Sequence, residues 1–259
     1  MEGRPFAGAR IVSLIAVGFL LLPGSLYRAE TNQRKASSTH AAPQHVLPPE
    51  ARGDLLMAQR QYMAAIKAYR EAPGNSAVLW NKIGIAWQHL FAIDEAKLNY
   101  ERALRMKPNY PEAINNLGTI YYEKKNYKKA EKLYRRALKS MPRSATFYNN
   151  LGAAYFAQGK LKQGTQAYRA AFAIDPGIFS SDSYQGVPEL GSSAQEASQD
   201  YCLAELFARA GMTERAIEYL RKALDEGFSD RKRVMRDGAF SSIRKTNAFA
   251  QLLEEKKRH

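Results

Sequence analysis

Apolar residues in this chain follow two alternating helical stripes, and the whole arrangement repeats along the sequence. Within 77–110 the first stripe has residues at i, i+3, i+4 and i+7, which is one face of a helix: Trp80, Ile83, Gly84, Trp87. After a short break at Phe91–Ala92, a second stripe follows: Ile93, Ala96, Tyr100, Ala103, Leu104. Pro108 ends the second stripe, because proline lacks a backbone donor and disfavours helical geometry in the residue before it. The pattern predicts a helical hairpin in each unit, with Gly84 and Ala96 where the two helices cross.

The hairpin recurs with a 34-residue period. Five positions carry the same or a similar residue in three consecutive copies: Gly84, Gly118 and Gly152; Trp87, Tyr121 and Tyr155; Tyr100, Tyr134 and Tyr168; Ala103, Ala137 and Ala171; Pro108, Pro142 and Pro176. A fixed period of this length indicates stacked supersecondary units, none of which buries its apolar face alone.

These residues resemble the tetratricopeptide repeat family. The runs Asn116-Leu117-Gly118 with Tyr121, and Asn150-Leu151-Gly152 with Tyr155, follow its first-helix pattern nearly residue for residue. The resemblance implies an all-α fold, a right-handed α-solenoid of helix–turn–helix repeats with a C-terminal helical cap. It also implies a protein that binds other proteins and is not an enzyme.

The period and the composition divide the chain into nine segments. In order they are a signal peptide or signal anchor (1–29), a disordered tether (30–49), a degenerate first repeat (50–76), three repeats (77–110, 111–144 and 145–178), a loop insert (179–196), a further repeat (197–230), and a helical cap with a basic tail (231–259). Two interpretations of the insert stay open, a passive loop on one face or a flap over the binding groove.

Segment 1–29 has the layout of a secretory signal. Arg4 and Arg10 precede the apolar run Ile11–Leu22, and Pro23-Gly24 follows it. The run is shorter than the roughly 20 residues of a spanning helix. We therefore expect export across the cytoplasmic membrane of a bacterium, to the periplasm or the outside, with the segment either removed or retained as an anchor.

Positive charge is concentrated in two regions of a chain whose formal charge is +14. Repeat 111–144 has nine Lys or Arg against three Glu, and 231–259 has the same balance of basic and acidic residues, whereas 197–230 has four basic against seven acidic. Helical spacing places most of the clustered basic residues of the third repeat on its convex outer face: Lys124, Lys125, Lys128, Lys129, Lys132, Arg135, Arg136, Lys139. This face is either simply solvated or a contact for an anionic membrane surface or an acidic protein. Nucleic acid is disfavoured, because the aromatic residues among these cations occupy packing positions.

The first helices of such repeats are expected to line a concave groove that binds a peptide segment or a helix. Ten residues are predicted to face this groove: Asn81, Ile85, Gln88, His89, Asn115, Thr119, Tyr122, Glu123, Asn149, Phe156. Asn81, Asn115 and Asn149 recur at the 34-residue step, and their amides could bind a partner's backbone or could instead stabilise the hairpins. No Lys or Arg occupies the inner positions of the three central repeats, so a clamp for a carboxylate is not expected.

Catalytic and cofactor motifs are absent from the sequence. No HExxH, P-loop, GxSxG or Cys–His metal pattern occurs, so no enzyme activity, cofactor or metal is expected. The pair His89 and Glu123 could face each other across adjacent repeats, as a hydrogen bond in the groove. Cys202 is the single cysteine, and its place on a first helix predicts a buried thiol.

Overall fold

The computed structural model describes residues 47–179 and 193–255, which belong to one compact unit. These residues form twelve α-helices, two short 3-10 helices and no strand. The α-helices are α1 (Pro49–Ala58), α2 (Tyr62–Glu71), α3 (Ala77–His89), α4 (Ile93–Met106), α5 (Pro111–Glu123), α6 (Tyr127–Ser140), α7 (Ala145–Phe156), α8 (Leu161–Ile174), α9 (Ser193–Arg209), α10 (Thr213–Asp225), α11 (Arg231–Arg236) and α12 (Asn247–Glu255). The predicted export segment lies outside the described residues.

Helices α1 to α10 form five consecutive hairpins, so the all-α solenoid is confirmed. The second helix of each hairpin packs against the first helix of the next, from α2 with α3 to α8 with α9. First helices also contact one another directly, as α3 with α5, α5 with α7 and α7 with α9 do. The first helices therefore line one common side of the array, called here the first-helix face.

In the first four hairpins the close approach of the two helices depends on a glycine–tyrosine pair. A Cβ atom on Gly84 would lie 2.5 Å from the ring of Tyr100, and a Cβ on Gly118 would lie 2.7 Å from the ring of Tyr134. Both tyrosines are fully buried. Gly84 and Ala96 were predicted to lie where the two helices cross, and the group that fills the space beside Gly84 is the Tyr100 ring.

Each hairpin turns through one residue in the left-handed region. Lys125, Gly159 and Gly211 have φ values of 57°, 70° and 74° at equivalent positions of the third, fourth and fifth repeats. The first two repeats use Arg60 and Phe91 there, with φ values of 59° and 58°. All five turns thus adopt the same left-handed backbone conformation, and only two of them have glycine at that position.

The C-terminal residues cover the open end of the array, as the predicted cap requires. Helix α11, the 3-10 helices Gly238–Phe240 and Ile243–Lys245, and α12 follow the fifth repeat. Their apolar side chains join the core of the fifth repeat: Val234, Phe240, Ile243, Phe249, Leu252. These side chains are buried, so the last apolar face of the solenoid is not exposed.

The predicted loop insert is shorter than expected at its C-terminal end. Helix α9 begins at Ser193, so Ser193–Glu196 forms its first turn. At the other end, Phe179 is buried against the ring of Tyr168, with the ring centroids 4.9 Å apart. Residues 180–192 lie outside the described residues, and with them the choice between a passive loop and a flap.

Candidate protein-binding face

The predicted asparagine series is buried between repeats and is not exposed in a groove. The exposed fractions of Asn81, Asn115 and Asn149 are 5%, 5% and 3%. The Asn116 Nδ2 donates to the Asn81 Oδ1 at 3.0 Å, and the Asn150 Nδ2 donates to the Asn115 Oδ1 at 3.0 Å. The structure therefore corrects the expectation that these amides are accessible to a partner, and supports their other interpretation, as structural groups.

Each asparagine hydrogen bond joins two sequence positions, that of the donor and that of the acceptor. Where the array begins and where it meets the cap, a different residue occupies one of these positions and makes a contact of different chemistry. Lys82 holds the position of Asn116, and its Nζ donates to the Glu50 Oε1 at 2.9 Å. Tyr201 holds the position of Asn149, and its hydroxyl donates to the Asp237 Oδ2 at 2.8 Å. Each of these contacts, including the two between asparagines, is called a rung below. A rung joins a first helix to the neighbouring first helix or, for Tyr201, to the cap.

One junction lacks its rung. Cys202 occupies the position that Asn116 and Asn150 hold in earlier repeats, and a thiol is a poor substitute for an amide donor. The Asn149 Oδ1 is buried without a hydrogen-bond partner among the described residues. The junction between the fourth and fifth repeats therefore relies on apolar packing and on the ion pair between Arg169 of α8 and Glu205 of α9, 3.9 Å apart. Cys202 is itself 2% exposed, in agreement with the predicted buried thiol, and burial raises its pKa to about 12.

Tyr122 and Phe156 are also buried, which is a second correction. Their exposed fractions are 3% and 1%. The Tyr122 ring packs edge-on against Tyr127, and the Phe156 ring packs edge-on against Tyr168. Both belong to the core between helices because the second-helix aromatics reach under the first helices at these points. They cannot supply pockets for a partner's side chains in this conformation.

The other five predicted residues are accessible in part: Ile85, Gln88, His89, Thr119, Glu123. His89 is exposed and stacks on the ring of Tyr62, with centroids 4.8 Å apart. The predicted contact between His89 and Glu123 is replaced by a neighbouring one, in which the Gln88 Nε2 donates to the Glu123 Oε1 at 2.7 Å.

Three polar side chains on this face are hydrogen-bonded to tyrosine hydroxyls from the second helices. Tyr69 donates to the Asp54 Oδ1 at 2.8 Å, and Tyr100 donates to the Gln88 Oε1 at 2.8 Å. The Tyr134 hydroxyl lies 3.4 Å from the Thr119 Oγ1. Asp54, Gln88, Thr119 and Glu123 are called the polar row below. The row occurs along three successive repeats. Asp54, Gln88 and Thr119 are held from beneath by these tyrosines, and Glu123 accepts its hydrogen bond from Gln88.

The charge of the polar row is acidic at its N-terminal end. The Lys82 Nζ lies 2.8 Å from both carboxylate oxygens of Asp54. Although burial favours the neutral form of Asp54, the hydrogen bonds from Lys82 and Tyr69 outweigh it and lower the pKa of the carboxyl. Burial raises the pKa of Glu123, against the hydrogen bond from Gln88.

The fifth repeat carries one aromatic and two charged residues on this face that were not among the ten predicted. Tyr201, Glu205 and Arg209 lie on α9 at the positions that Asn115, Thr119 and Glu123 occupy on α5. The sequence could have indicated these positions, because Tyr201 follows Asn149 by one 34-residue period plus the length of the insert. The asparagine series ends at Asn149, so a series defined by one residue type does not reach Tyr201.

The basic residues of the third repeat are exposed as predicted. Several are engaged within the chain: Lys124 pairs with Asp94, Arg135 with Glu131, and the Lys129 Nζ lies over the Tyr121 ring at 3.9 Å. The side chains of four others make no hydrogen bond or ion pair within the part of the chain that the structure describes: Lys125, Lys128, Lys132, Lys139.

A cleft of about 340 Å³ opens at the junction of α2 and α3, away from the predicted groove residues. Its lining includes Tyr69, Trp80 and Ile83, together with the loop residues Gly74 and Asn75. Within 47–179 and 193–255 no cluster of ligating side chains could hold a metal ion, and no helix is long and apolar enough to cross a membrane.

Comparison with solved structures finds other helical-repeat proteins of low sequence identity. A crystal structure of MamA is 20% identical, covers 67% of this chain and 93% of its own, and has a TM-score of 0.45. MamA residues 41 to the end from Desulfovibrio magneticus RS-1 are 20% identical, with coverage of 69% and 92% and a TM-score of 0.47. The first TPR of Spaghetti (RPAP3), bound to an HSP90 peptide, is 24% identical, with coverage of 40% and 82% and a TM-score of 0.39.

Comparison with curated sequences finds two uncharacterized proteins named ycf37. That of Pyropia yezoensis is 42% identical over 74 residues, which are 27% of this chain and 42% of the relative. That of Porphyra purpurea is 41% identical over 66 residues, which are 24% of this chain and 38% of the relative. The chain therefore spans less than half the length of the curated relatives it matches.

Family models of tetratricopeptide repeats match the central part of the chain. The three matches cover residues 99–132, 118–159 and 145–178, and their descriptions are tetratricopeptide repeat and TPR repeat. Together they extend from within α4 to just past the end of α8. The prediction from the 34-residue period is thus confirmed: this chain contains tetratricopeptide repeats, in an all-helical scaffold suited to protein–protein interaction.

Proposed function

We propose that this protein is an exported or membrane-anchored scaffold that binds a segment of another protein along its polar row. The observation that carries this proposal is the support of Asp54, Gln88 and Thr119 by buried tyrosine hydroxyls in three successive repeats. A polar group that is already oriented loses less conformational entropy when a partner binds.

The chemistry of the row favours a partner that supplies hydrogen-bond donors. Asp54 and Glu123 offer carboxylate oxygens, and the cation beside Asp54, Lys82, is already paired with Asp54 and Glu50. Ile85 adds partly exposed apolar area at the position that Thr119 holds in the next repeat. We therefore expect an internal extended segment or a helix with basic or amide side chains, and not a chain end recognised by its carboxylate.

The row can be tested by placing a photoreactive amino acid at the position of Thr119 in the full-length chain. We expect irradiation in the native cell to yield a discrete crosslinked protein. The matched control is the same amino acid at Lys132 on the outer face, where the same partner should not crosslink. Ile85→Glu should then abolish the crosslink from position 119 with an unchanged helical circular dichroism spectrum. Equal crosslinking of one partner from 119 and 132 would contradict the proposal.

Export is proposed from the sequence of segment 1–29. The pattern of Arg4, Arg10 and the apolar run Ile11–Leu22 supports it. Fractionation of native cells should find the protein outside the cytosol, and the intact mass should show whether segment 1–29 is removed. Recovery of the full-length protein in the cytosolic fraction alone would contradict export while leaving the polar row untouched.

A second candidate function uses the basic outer face. In this alternative the protein is a structural subunit of an envelope assembly, held by an anionic membrane surface or an acidic protein. Lys125, Lys128, Lys132 and Lys139 support it because no acidic partner within the described residues neutralises them. Co-sedimentation with anionic phospholipid vesicles should then be lost in the variant Lys128→Gln/Lys132→Gln/Lys139→Gln and in high salt. The absence of enzyme activity stays a prediction in either case.

A further inference from the structure

Three arginines from three helices converge on two carboxyl groups where the fifth repeat meets the cap. Arg169 of α8 approaches the Glu205 Oε2 at 3.9 Å, and Arg233 of α11 approaches the Glu205 Oε1 at 3.7 Å. Arg209 of α9 approaches the Asp237 Oδ1 at 4.0 Å. Arg169, Arg209 and Arg233 are called the arginine cluster below.

The carboxyl groups lie inside the cluster and the guanidinium groups lie outside. The side chains of Glu205 and Asp237 are 9% and 13% exposed, whereas those of Arg169, Arg209 and Arg233 are 52%, 56% and 52% exposed. The surface presented to solvent at this junction is therefore cationic, even though acidic residues lie at its centre.

The guanidinium groups are held in place but keep their donors. Their distances to the carboxylates exceed normal hydrogen-bond lengths, and no hydrogen bond donated by these three guanidinium groups occurs within the described ranges. Arg233 is oriented by the Tyr201 ring, which lies 4.5 Å from its guanidinium carbon and stacks on Phe228 at 4.2 Å. Each guanidinium can thus offer a fork of N–H groups to an incoming anion.

The local charge is not balanced by the carboxyl groups. Asp237 already accepts hydrogen bonds from the Tyr201 hydroxyl at 2.8 Å and from the backbone N–H of Ala239 at 2.9 Å. A fourth arginine, Arg244, donates to the backbone carbonyl of Asp237 at 2.7 Å and adds a further positive charge. At most two negative charges therefore face four positive charges, and a dianion would complete the balance.

We propose that the arginine cluster is a binding site for a dianionic tetrahedral oxyanion of the phosphate or sulfate type. Such an ion has several acceptor oxygens, which suits forked donors arriving from three helices better than a single carboxylate would. The site is separate from the polar row and does not depend on the function proposed for it.

Binding at this site is coupled to the protonation of Glu205. The charged and titratable groups that interact with Glu205 are Arg169 from α8, Tyr201 and Cys202 from α9, Arg233 from α11, and Asp237. Asp237 is in turn approached by Arg209 from α9 and Arg244 from the cap. When Glu205 is neutral, Arg169 and Arg233 lose the carboxylate that they approach, and Asp237 remains the negative charge inside the cluster. Burial and the hydrogen bond with Asp237 raise the pKa of Glu205 to about 7, so affinity for a dianion should fall as the pH rises through neutrality.

The experiment is calorimetric titration of the full chain with sulfate, which remains a dianion over the pH range used. We expect saturable binding at pH 6 that weakens by about threefold or more at pH 8. Glu205→Gln imitates the neutral carboxyl and should bind at pH 8 as the unmodified protein does at pH 6. Titrations with inorganic phosphate and with phenyl phosphate then distinguish a free ion from an esterified phosphate, and binding of either one supports the site.

Two matched variants locate the site. Arg169→Gln/Arg233→Gln should lower sulfate affinity about tenfold or more, whereas Arg135→Gln/Arg136→Gln on α6 removes equal charge and should leave affinity within about twofold. Arg169→Lys/Arg233→Lys keeps the charge but loses the fork, so weaker binding in a variant with an unchanged circular dichroism spectrum tests the geometry without risk to the fold.

Three results would each overturn the proposal. They are the absence of saturable sulfate binding at pH 6, equal loss of affinity in the α6 control, and sulfate binding by Arg169→Gln/Arg233→Gln as tight as that of the unmodified chain. Affinity that does not change between pH 6 and pH 8 would remove the coupling to Glu205.

Discussion

The third and fifth repeats of this protein share one backbone plan but use it with different side chains. In residues 111–144, the close helix contact is Gly118 against Tyr134, and the rung acceptor is Asn115. In 197–230, Ala204 and Leu220 hold the equivalent positions of the glycine and the tyrosine, and both are fully buried. The larger first residue is matched by a smaller second one, which compensates for the volume between the helices.

The difference extends to the first-helix face. Thr119, a neutral member of the polar row, corresponds to Glu205, a buried carboxyl next to Asp237. The third repeat has a further repeat on either side, so its junctions are alike in kind. The fifth repeat adjoins the cap, which brings its own Asp237, Arg233 and Arg244. The residues within one repeat therefore specify its helical hairpin, whereas the adjoining segment, another repeat or the cap, specifies which side chains meet at the junction.

The strongest way to break this comparison is Gly118→Ala. The new methyl would lie in the space of the Tyr134 ring, 2.7 Å from its nearest atom, so unfolding should be easier by about 1–3 kcal/mol. The double variant Gly118→Ala/Tyr134→Leu copies the fifth repeat and should recover part of that loss. Urea unfolding of the two variants and of Tyr134→Leu alone measures the coupling. Strictly additive effects would show that the pair does not act as a unit.

An effect of comparable size is expected from the rungs. Asn115→Ala leaves the Asn150 amide buried without its acceptor, so the free energy of unfolding should fall by about 1–3 kcal/mol. Asn149→Ala should cost less, because the Asn149 Oδ1 has no hydrogen-bond partner among the described residues. Thermal unfolding of both variants in one buffer makes the comparison. Equal losses at the two positions would mean that the hydrogen bond between repeats contributes nothing beyond packing.

The third and fifth repeats should also differ in how their stability depends on pH, because the fifth has the titratable Glu205 where the third has Thr119. Burial and Asp237 raise the pKa of Glu205 from 4.5 to about 7, so the folded state holds this proton more tightly than the unfolded state. Its contribution is complete below about pH 4.5 and is lost as the pH rises through 7. Asp237, whose pKa is lowered to about 2 despite burial, loses its own contribution only as the pH falls from its ordinary 3.8 through 2.

Between pH 6 and pH 8 the free energy of unfolding should therefore decrease by about 1 kcal/mol. Glu205→Gln should flatten this dependence, whereas Thr119→Ser at the equivalent position of the third repeat should leave it unchanged. Urea unfolding at the two pH values is the measurement. If the Glu205→Gln variant still follows the unmodified profile, the titration belongs to another group.

The smallest effect concerns the hairpin turn. Lys125 has a φ of 57°, where the fifth repeat has Gly211, and its side chain is exposed. Lys125→Gly should raise the free energy of unfolding by about 0.5–1 kcal/mol, because the left-handed conformation costs glycine nothing. Lys128→Gly, inside α6, should lower it by about 1 kcal/mol. If both variants are destabilised, the turn does not favour glycine in this context.

Much of the fold could be predicted because the same constraint recurs. Trp87, Tyr121 and Tyr155 share one register of the 34-residue period, since each hairpin must present the same apolar face to the next. The cap was predictable for a related reason: Phe240, Phe249 and Leu252 had to cover the last such face, and they do.

The candidate site was less predictable, because the position of a residue on a helix does not indicate which residues of other helices bury its side chain. Asn81, Asn115 and Asn149 were placed on the correct helices, yet they are buried where neighbouring repeats meet, and two of them accept hydrogen bonds from the next repeat. Tyr122 and Phe156 were likewise predicted to be exposed, whereas aromatic residues of the second helices reach them from below.

The sequence by itself therefore determined the repeating helical hairpin, because its period records contacts that every copy must make. Only the tertiary structure decided which polar side chains remain available to a partner protein. Their availability depends on whether a residue of the neighbouring segment bonds them, and the type of that residue differs from one junction to the next. Asn115 with Asn150 and Tyr201 with Asp237 occupy similar places in the architecture, but one closes a neutral junction and the other anchors a charged one. The difference arises from hydrogen bonds between a repeat and the segment next to it, so it cannot be seen in the sequence of one repeat alone.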